Sequence, residues 1–126
     1  MDVHENYAEW NAEKQVADKS SPYWYWANIL KLRKDHVDVF VYGDFALVSP
    51  DDQNVIAYKR MLETEEGATE ALVVCNFKDH EVEWVVPEEE KKLMGGKTLL
   101  ANYGGEAPKG ETVRLRAFEA FVVGDL

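Results

Sequence analysis

Cysteine is nearly absent from this sequence, and so are several features that would assign the chain to a common class of protein. Cys75 stands alone among 126 residues, so an internal disulfide is excluded. No apolar run approaches the roughly 18 residues that a membrane-spanning helix needs. The first residues also lack the apolar stretch of a secretory signal peptide. Together these absences favour a cytoplasmic protein.

Basic residues are scarce as well. Lysine and arginine total 14 against 24 aspartates and glutamates, which gives a formal net charge of −10 at pH 7. Nucleic-acid binding requires a cationic face that attracts phosphates, and an anionic membrane surface would repel this chain for the same reason. We therefore expect neither a nucleic acid nor a membrane as a partner.

Catalytic and metal-binding motifs are also lacking. The three histidines, His4, His36 and His80, are too far apart for a zinc signature, and no nucleophile elbow or phosphate-binding loop occurs. Cys75 lies in the most apolar segment and is expected to be inert core packing. We expect no catalytic residue, no metal and no cofactor. Neighbouring carboxylates fall in predicted exposed loops and are rejected as catalytic: Asp51–Asp52, Glu65–Glu66 and Glu88–Glu90.

The chain does contain a large apolar and aromatic share. Hydrophobic residues make up 46% of the sequence and aromatic residues 12%, which is too much for a disordered acidic segment. The length fits one domain. It falls far short of the roughly 250 residues of a barrel enzyme, so that architecture is excluded.

Ser21 and Pro22 mark the start of a helix, because serine is favoured just before the first turn and proline at its first position. The helix is predicted to run from Pro22 to residue 35 or 36. Its apolar residues spread over about 180° of arc, with Arg33 among them, which is wider than packing on one surface requires. We therefore predict that this helix packs between two bodies. The residues assigned to this interdomain packing are Tyr23, Trp24, Tyr25, Trp26, Ile29, Leu30 and Arg33.

The rest of the sequence alternates short apolar segments with turn signals, which predicts strands. Glu81–Val85 alternates polar and apolar residues like a half-buried strand, and Ala71–Cys75 is apolar throughout, which predicts a central strand. One helix followed by seven to eight short strands predicts a mainly β fold, an antiparallel, Greek-key-like β-sandwich. Residues 1–19 are predicted to be a loop with one short helical turn over Ala12–Ala17. The predicted strands are Phe45–Ser49, Asn54–Arg60, Ala71–Phe77, Glu81–Val86, Lys97–Asn102, Thr112–Arg116 and Ala120–Val123, with Val39–Tyr42 as a further apolar run.

Several segments, in order along the chain, match motifs of a known family. They are Val3–Tyr7 with Asn11–Gln15 (VNPNY and IN.E.Q in the family), Tyr25–His36 (NYWKKLIALRKEH), Val41–Phe45 (VYGDF), Ala57–Arg60 (FAYLR), Ala71–Phe77 (ALVVLNF) and Leu115–Ala120 (LRPYEA). Together they resemble the α-glucosidase branch of the α-amylase superfamily, glycoside hydrolase family thirteen. That branch contains maltases, isomaltases and oligo-1,6-glucosidases. The chain departs from these motifs at His4–Glu5, where the family has Asn-Pro, and at Ala117, where it has Pro.

This resemblance implies a position in a longer enzyme. Residues 1–36 would be the end of the last barrel loop and the last barrel helix, and residues 37–126 the C-terminal β-sandwich domain. The family's catalytic Asp nucleophile, Glu acid/base and second Asp lie on earlier barrel strands, and their motifs are missing here. The expected function is therefore non-catalytic: to stabilise the barrel of an intracellular α-glucosidase that acts on maltose-like α-glucosides. The expected partner is that barrel, in cis in the parent or in trans.

Two alternatives from other classes stay open. A free-standing carbohydrate-binding module would need exposed aromatics along one face of the sandwich. Phe45, Tyr58, Trp84 and Tyr103 are candidates, although Phe45 and Trp84 fit core positions better. The aromatics at 23–26 point in different directions around a helix and do not form one sugar platform, so we expect weak or no sugar binding. A protein-interaction module would instead bind an intact α-glucosidase subunit through the helix.

Overall fold

A computed structural model describes residues 2–126 and divides the chain into two compact units. The first ends at Asp35 and is called the helical unit here; the second, His36–Leu126, is called the β unit. The boundary expected between residues 36 and 37 falls beside this division. The assignment of the two units to different domains of a longer protein stays a prediction.

The helical unit consists of a 3₁₀ turn at Glu5–Ala8, helix α1 (Ala12–Ala17) and helix α2 (Pro22–Asp35). α1 is the short helical turn expected within residues 1–19. The Asn11 side chain caps it by accepting a hydrogen bond from the Lys14 amide at 2.9 Å. α2 has its expected bounds, because proline suits a first helical position.

α1 supplies the cap of α2. The Ser21 hydroxyl, expected to cap α2 itself, instead donates a hydrogen bond to the Gln15 carbonyl at 2.6 Å. The Gln15 side-chain oxygen accepts from the Tyr23 amide at 3.2 Å and so satisfies a free N–H of the first turn. Trp24 Nε1 also donates to the Val16 carbonyl at 2.9 Å. These bonds tie the two helices together inside one unit.

The β unit is an antiparallel β-sandwich with seven strands in the part of the chain that the structure describes, as expected. Five strands form one sheet in the order β1-β2-β3-β7-β5, and β4 pairs with β6 in a second sheet. All pairs are antiparallel. Between β4 and β5 the chain forms a 3₁₀ turn and a short helix, α3. The bounds are β1 Asp44–Val48, β2 Val55–Thr64, β3 Gly67–Asn76, β4 Val82–Val85, the turn Glu88–Glu90, α3 Lys91–Met94, β5 Lys97–Ala101, β6 Thr112–Leu115 and β7 Ala120–Gly124.

The hydrophobic core includes residues from both sheets. Trp84 on β4 is only 1% exposed and belongs to the same buried cluster as Leu115 of β6 and Leu72 and Phe121 of the larger sheet. β4 alternates buried and exposed residues as expected. β3 lies between β2 and β7, which confirms the central strand expected from its continuous apolar run.

The β2–β3 hairpin is longer than expected. The predicted strands stop at Arg60 and resume at Ala71, yet the two observed strands stay paired as far as Thr64 opposite Gly67, leaving Glu65–Glu66 as the turn. Antiparallel hydrogen bonds join backbone groups, so a ladder can continue through polar residues. An assignment based on apolar runs therefore ends such strands too early.

The apolar run Val39–Tyr42 forms a π-helical turn, Asp38–Tyr42, and adds no strand. Arg60, on β2, donates from Nε to the Val39 carbonyl at 3.3 Å and from its guanidinium to the Val41 carbonyl at 3.2 Å. These bonds satisfy two acceptors that a strand would pair with a neighbour.

In the described residues, no helix is long and apolar enough to cross a membrane.

Candidate functional site

An exposed apolar stripe on α2 is the strongest candidate for a functional surface. None of the 14 residues of α2 is buried. Tyr23, Trp26 and Leu30 are exposed, Trp26 to 62%. Their spacing of three and four residues places them on one side of the helix. We call these three residues the α2 stripe.

Trp10, just before α1, extends this apolar surface. With Pro22, Ala27 and the α2 stripe it lines a groove of about 580 Å³, and Asn11 and Gln15 contribute polar atoms to its wall. We call it the aromatic groove. An open, mostly apolar groove of this kind can receive a side chain or an amphipathic helix of a protein partner.

The seven residues assigned to interdomain packing differ in their surroundings. Trp24 is held inside the helical unit: its ring lies edge-on to Tyr23 at 5.4 Å, and Lys19 Nζ lies 3.2 Å from its centroid. Tyr25 and Ile29 are half-buried, whereas Arg33 is exposed. The exposed aromatic surface therefore consists mainly of the α2 stripe and Trp10. Trp10 was not among the residues that the sequence pattern assigned to interdomain packing. An interdomain role for the seven stays a prediction.

The neighbouring carboxylates rejected as catalytic lie at the surface, with the exception of Glu90. Its side chain is 4% exposed, and Oε1 lies 2.9 Å from Lys59 Nζ. The hydrogen bond from this ammonium group to Glu90 outweighs the effect of burial and raises the pKa of Lys59. The expectation that residues 88–90 form a solvated loop is therefore wrong for Glu90. The missed signal is spacing, since Glu90 lies three and four residues before the buried Leu93 and Met94.

Glu90 does not form a catalytic pair. Its Oε2 atom is buried, and no hydrogen-bond partner for it occurs among the described residues. Lys59 also lies 3.6 Å from Glu70, so the ammonium group sits between two carboxylates and neutralises them in part. This arrangement fixes the turn at 88–90 to the large sheet.

Cys75 was expected in the core but is only half-buried. Burial still raises the pKa of its thiol, which lowers the fraction of reactive thiolate. Among the described residues, no group of three or more His, Cys, Asp or Glu side chains could hold a metal ion. His80 pairs with Asp79 at 2.9 Å in an exposed turn.

The four aromatics considered for sugar binding are not equally accessible. Trp84 is in the core as expected, but Phe45 is 54% exposed. The core expectation for Phe45 was wrong because Val48 and Ala46 occupy the more buried positions of β1. Phe45 instead lies 5.2 Å from the Tyr58 ring. Tyr103 is half-exposed, at a different place in the β unit.

Comparison with known proteins gives a consistent set of relatives. No protein-family model matches the sequence. The α-glucosidase of Schizosaccharomyces pombe is 33% identical over 98% of this chain and 20% of that protein. The oligo-1,6-glucosidase of Halalkalibacterium halodurans is 36% identical over 97% of this chain and 21% of that protein. The chain thus spans about a fifth of the length of the curated relatives it matches.

Solved structures show the same relation. The trehalose-6-phosphate hydrolase of Bacillus licheniformis matches 98% of this chain and 22% of its own, at a TM-score of 0.82 and 28% identity. The trehalulose synthase MutB of Pseudomonas mesoacidophila matches at a TM-score of 0.79 and 24% identity, a likeness in fold. Both matches include the helical and the β regions, since they cover 98% of the chain.

Proposed function

We infer that this chain has a non-catalytic role: it stabilises a catalytic barrel. The chain corresponds to the C-terminal region of the α-glucosidase and oligo-1,6-glucosidase group of glycoside hydrolases. The barrel would belong to an intracellular α-glucosidase that acts on maltose-like α-glucosides. The relatives are about five times as long as the matched region, so most of each relative lies outside it and is available to pack against it.

The observation that carries this proposal is the exposure of the α2 stripe. Large aromatic side chains side by side on a surface signal a covered interface. Trp26 alone leaves most of its indole in contact with water. Covering such a ring removes apolar area from water and contributes about 25 cal/mol per Å². In the proposed complex the catalytic barrel covers the α2 stripe and fills the aromatic groove.

The other residues of α2 have supporting roles in this proposal. Tyr25 and Ile29, which are half-buried, would complete the packing around the stripe. Arg33, exposed one turn beyond Ile29, would pair with a carboxylate or with carbonyl groups of the barrel, because a guanidinium group covered by protein needs such acceptors. Trp24 would hold α1 against α2 rather than contact the barrel.

The chain by itself is proposed to have no hydrolase activity. The resemblance assigns the nucleophile and the acid/base to barrel strands outside this region. Purified protein is therefore expected not to hydrolyse p-nitrophenyl α-glucoside. We place the longer enzyme in the cytoplasm, where a lone, half-buried Cys75 stays reduced.

The test is complementation of a relative. The Schizosaccharomyces pombe α-glucosidase, shortened by the fifth that matches this chain, is co-expressed with the full chain carrying an affinity tag. We expect the shortened enzyme to co-purify and its α-glucosidase activity to last longer on warming. Trp26→Asp should weaken binding at least about tenfold, because it places a charge in an apolar contact.

The matched control is Phe77→Asp in the β unit. Phe77 is 64% exposed, close to the value for Trp26, and it lies outside the aromatic groove. This variant should co-purify like the unmodified chain. Equal capture of the Trp26→Asp variant, no capture of the unmodified chain, or turnover of the glucoside by the chain alone would each contradict the proposal.

A further inference from the structure

Strand β1 forms one edge of the large sheet and has a partner strand on one side only. It pairs with β2, and in the part of the chain that the structure describes no strand adjoins its other side. Such an edge presents backbone N–H and C=O groups with which another strand can pair. Phe45 and Leu47 are 54% and 59% exposed, and they share one face of the sheet because they are two residues apart. β1 therefore combines an open edge with an apolar surface.

This apolar surface continues onto β2. Leu47 lies opposite Tyr58 in the register of the two strands, and the Tyr58 ring centroid lies 5.2 Å from that of Phe45. Ile56, on the same face two residues before Tyr58, is 49% exposed. None of these four side chains is charged, although the chain has a net charge of −10. A second copy of the chain would therefore meet less electrostatic repulsion here than at its acidic loops.

The opposite edge of the large sheet is protected in ways that β1 is not. β5 begins with the exposed Lys97 and has a bulge between Thr98 and Leu100. The Ala107 amide donates to Thr98 Oγ1 at 2.9 Å, which holds a loop segment against this strand. Lysines, bulges and covering loops keep edge strands from pairing with other chains. β1, in contrast, has an uninterrupted register with β2 and contains neither lysine nor proline.

The second sheet carries charges along its strands. Arg114 Nε on β6 lies 3.3 Å from Glu83 Oε1 on β4, and Arg114 Nη1 lies 3.7 Å from Glu81 Oε1. Charged side chains also disfavour pairing at an edge. In β1 the charged residue is Asp44, at the start of the strand. Of these strands, β1 is therefore the best suited to pair with another chain.

We propose that β1 pairs antiparallel with β1 of a second copy of this chain, about a twofold axis at Ala46. In this register Phe45 lies opposite Leu47 of the partner subunit on the apolar face. Symmetry repeats that aromatic–aliphatic pair on the other side of the axis, as a self-complementary contact requires. The two Asp44 carboxylates lie at opposite ends of the paired strands, so like charges do not meet. This contact goes beyond the non-catalytic role proposed above and does not depend on it.

The size of the contact predicts a weak dimer. A stable interface buries about 800 Å² on each partner, and one strand of five residues with its neighbouring apolar side chains covers less than that. Complexes with such small interfaces are transient. Because the pairing uses the open edge of both copies and the β5 edge is protected, association stops at two copies.

The test is sedimentation equilibrium of the full chain from about 5 to 500 µM. We expect a 14.4 kDa monomer at the lowest concentration and a reversible dimer at the highest, with a Kd of roughly 10–100 µM. Leu47→Lys should weaken the dimer at least about tenfold, because a lysine on an edge strand disfavours pairing. The matched control is Val85→Lys on β4, where the side chain is 69% exposed. It adds the same charge and should dimerise like the unmodified chain.

Cysteine cross-linking tests the register. Ala46→Cys places one thiol directly opposite its copy in the partner subunit, within the Cα separation that a disulfide allows. Mild oxidation should therefore yield a covalent dimer on a non-reducing gel. Ala101→Cys makes the same change on the β5 edge, at a residue that is also half-buried, and should yield none.

The proposal is overturned if the unmodified chain stays monomeric throughout, if Leu47→Lys dimerises equally well, or if the two cysteine variants cross-link to the same extent. Leu47→Lys should still capture the shortened α-glucosidase. Loss of that capture, with no dimer of the unmodified chain, would assign β1 to a contact with the enzyme instead. Failed capture by a chain that dimerises as expected would contradict the non-catalytic role alone.

Discussion

The helical unit and the β unit place their apolar side chains in opposite ways. In the β unit, Trp84, Leu72 and Phe121 form part of a core that is closed to water. Among residues 2–35, Ser21 is the one buried residue, and Trp10 and Trp26 are exposed at the surface. Both units contain tryptophan, but only the β unit gains stability by burying it.

This difference shows that each unit is stabilised internally by different interactions. The β unit has the buried apolar area that offsets the conformational entropy lost on folding. The helical unit relies on caps and on hydrogen bonds such as that of Trp24 to Val16. Helices of about 12–15 residues are marginal in water by themselves, so we expect the helical unit to be the less stable one.

The largest expected effect comes from replacing one tryptophan in each unit by alanine and comparing the two variants. Trp84→Ala should reduce the free energy of unfolding by about 3–5 kcal/mol, because it opens a cavity in the core and removes the bond from Trp84 Nε1 to Ser49 at 3.2 Å. Trp26→Ala should change it by less than about 0.5 kcal/mol, as for other exposed positions. Urea denaturation of both variants measures the contrast. Similar losses in the two variants would show that the units do not differ in this way.

A smaller effect, dependent on pH, is expected at Glu119 in the β unit. Burial raises the pKa of its carboxyl group, but hydrogen bonds from the Arg116 side chain and amide outweigh burial and leave the pKa below the ordinary 4.5. Stability from this group is thus present above pH 4.5 and is lost as the pH falls through the lower folded pKa. Glu119→Gln should cost about 1.5–3 kcal/mol at pH 7.

The pH profile of that variant distinguishes the cause. As the pH falls below 4.5, the stability of the unmodified chain should drop towards that of Glu119→Gln, measured by urea denaturation at each pH. Glu89→Gln, at an exposed position, serves as the control and should follow the unmodified chain. Parallel curves for the unmodified chain and Glu119→Gln would exclude the proposed ion pair as the source of acid sensitivity.

The smallest effect is expected at the cap of α2. Gln15→Ala removes the acceptor for the Tyr23 amide and should destabilise the helix locally by about 0.5–1 kcal/mol. The helical circular dichroism signal should weaken, while the cooperative urea transition of the β unit stays in place. Gln53→Ala, in a β-unit loop, should alter neither. A shift of the main transition by Gln15→Ala would mean that the two units unfold together.

Local signals explain what could be predicted of the fold. The start of α2 follows from Pro22, because proline suits the first position of a helix. The identity of β3 as a central strand follows from its own apolar residues, and β4 shows its alternation directly. Each of these features is decided by neighbours in the sequence, so the sequence pattern was sufficient.

Features that depend on distant partners could not be predicted in this way. Glu90 is buried because Lys59, on another strand, neutralises it. Phe45 is exposed because of the register and orientation of β1. In the candidate site, the aromatic character of α2 was evident, but the separation of Trp24 from the α2 stripe depends on Lys19 and Val16.

The strand order of the large sheet has a consequence for how this protein is made. β7, Ala120–Gly124, lies between β3 and β5 although it follows both of them in the sequence. During translation, β3 and β5 are therefore made before the strand that pairs with both of them. Until then their edges are open to pairing with other chains. Any cellular factor that shields nascent chains would have its greatest effect on this protein in that interval.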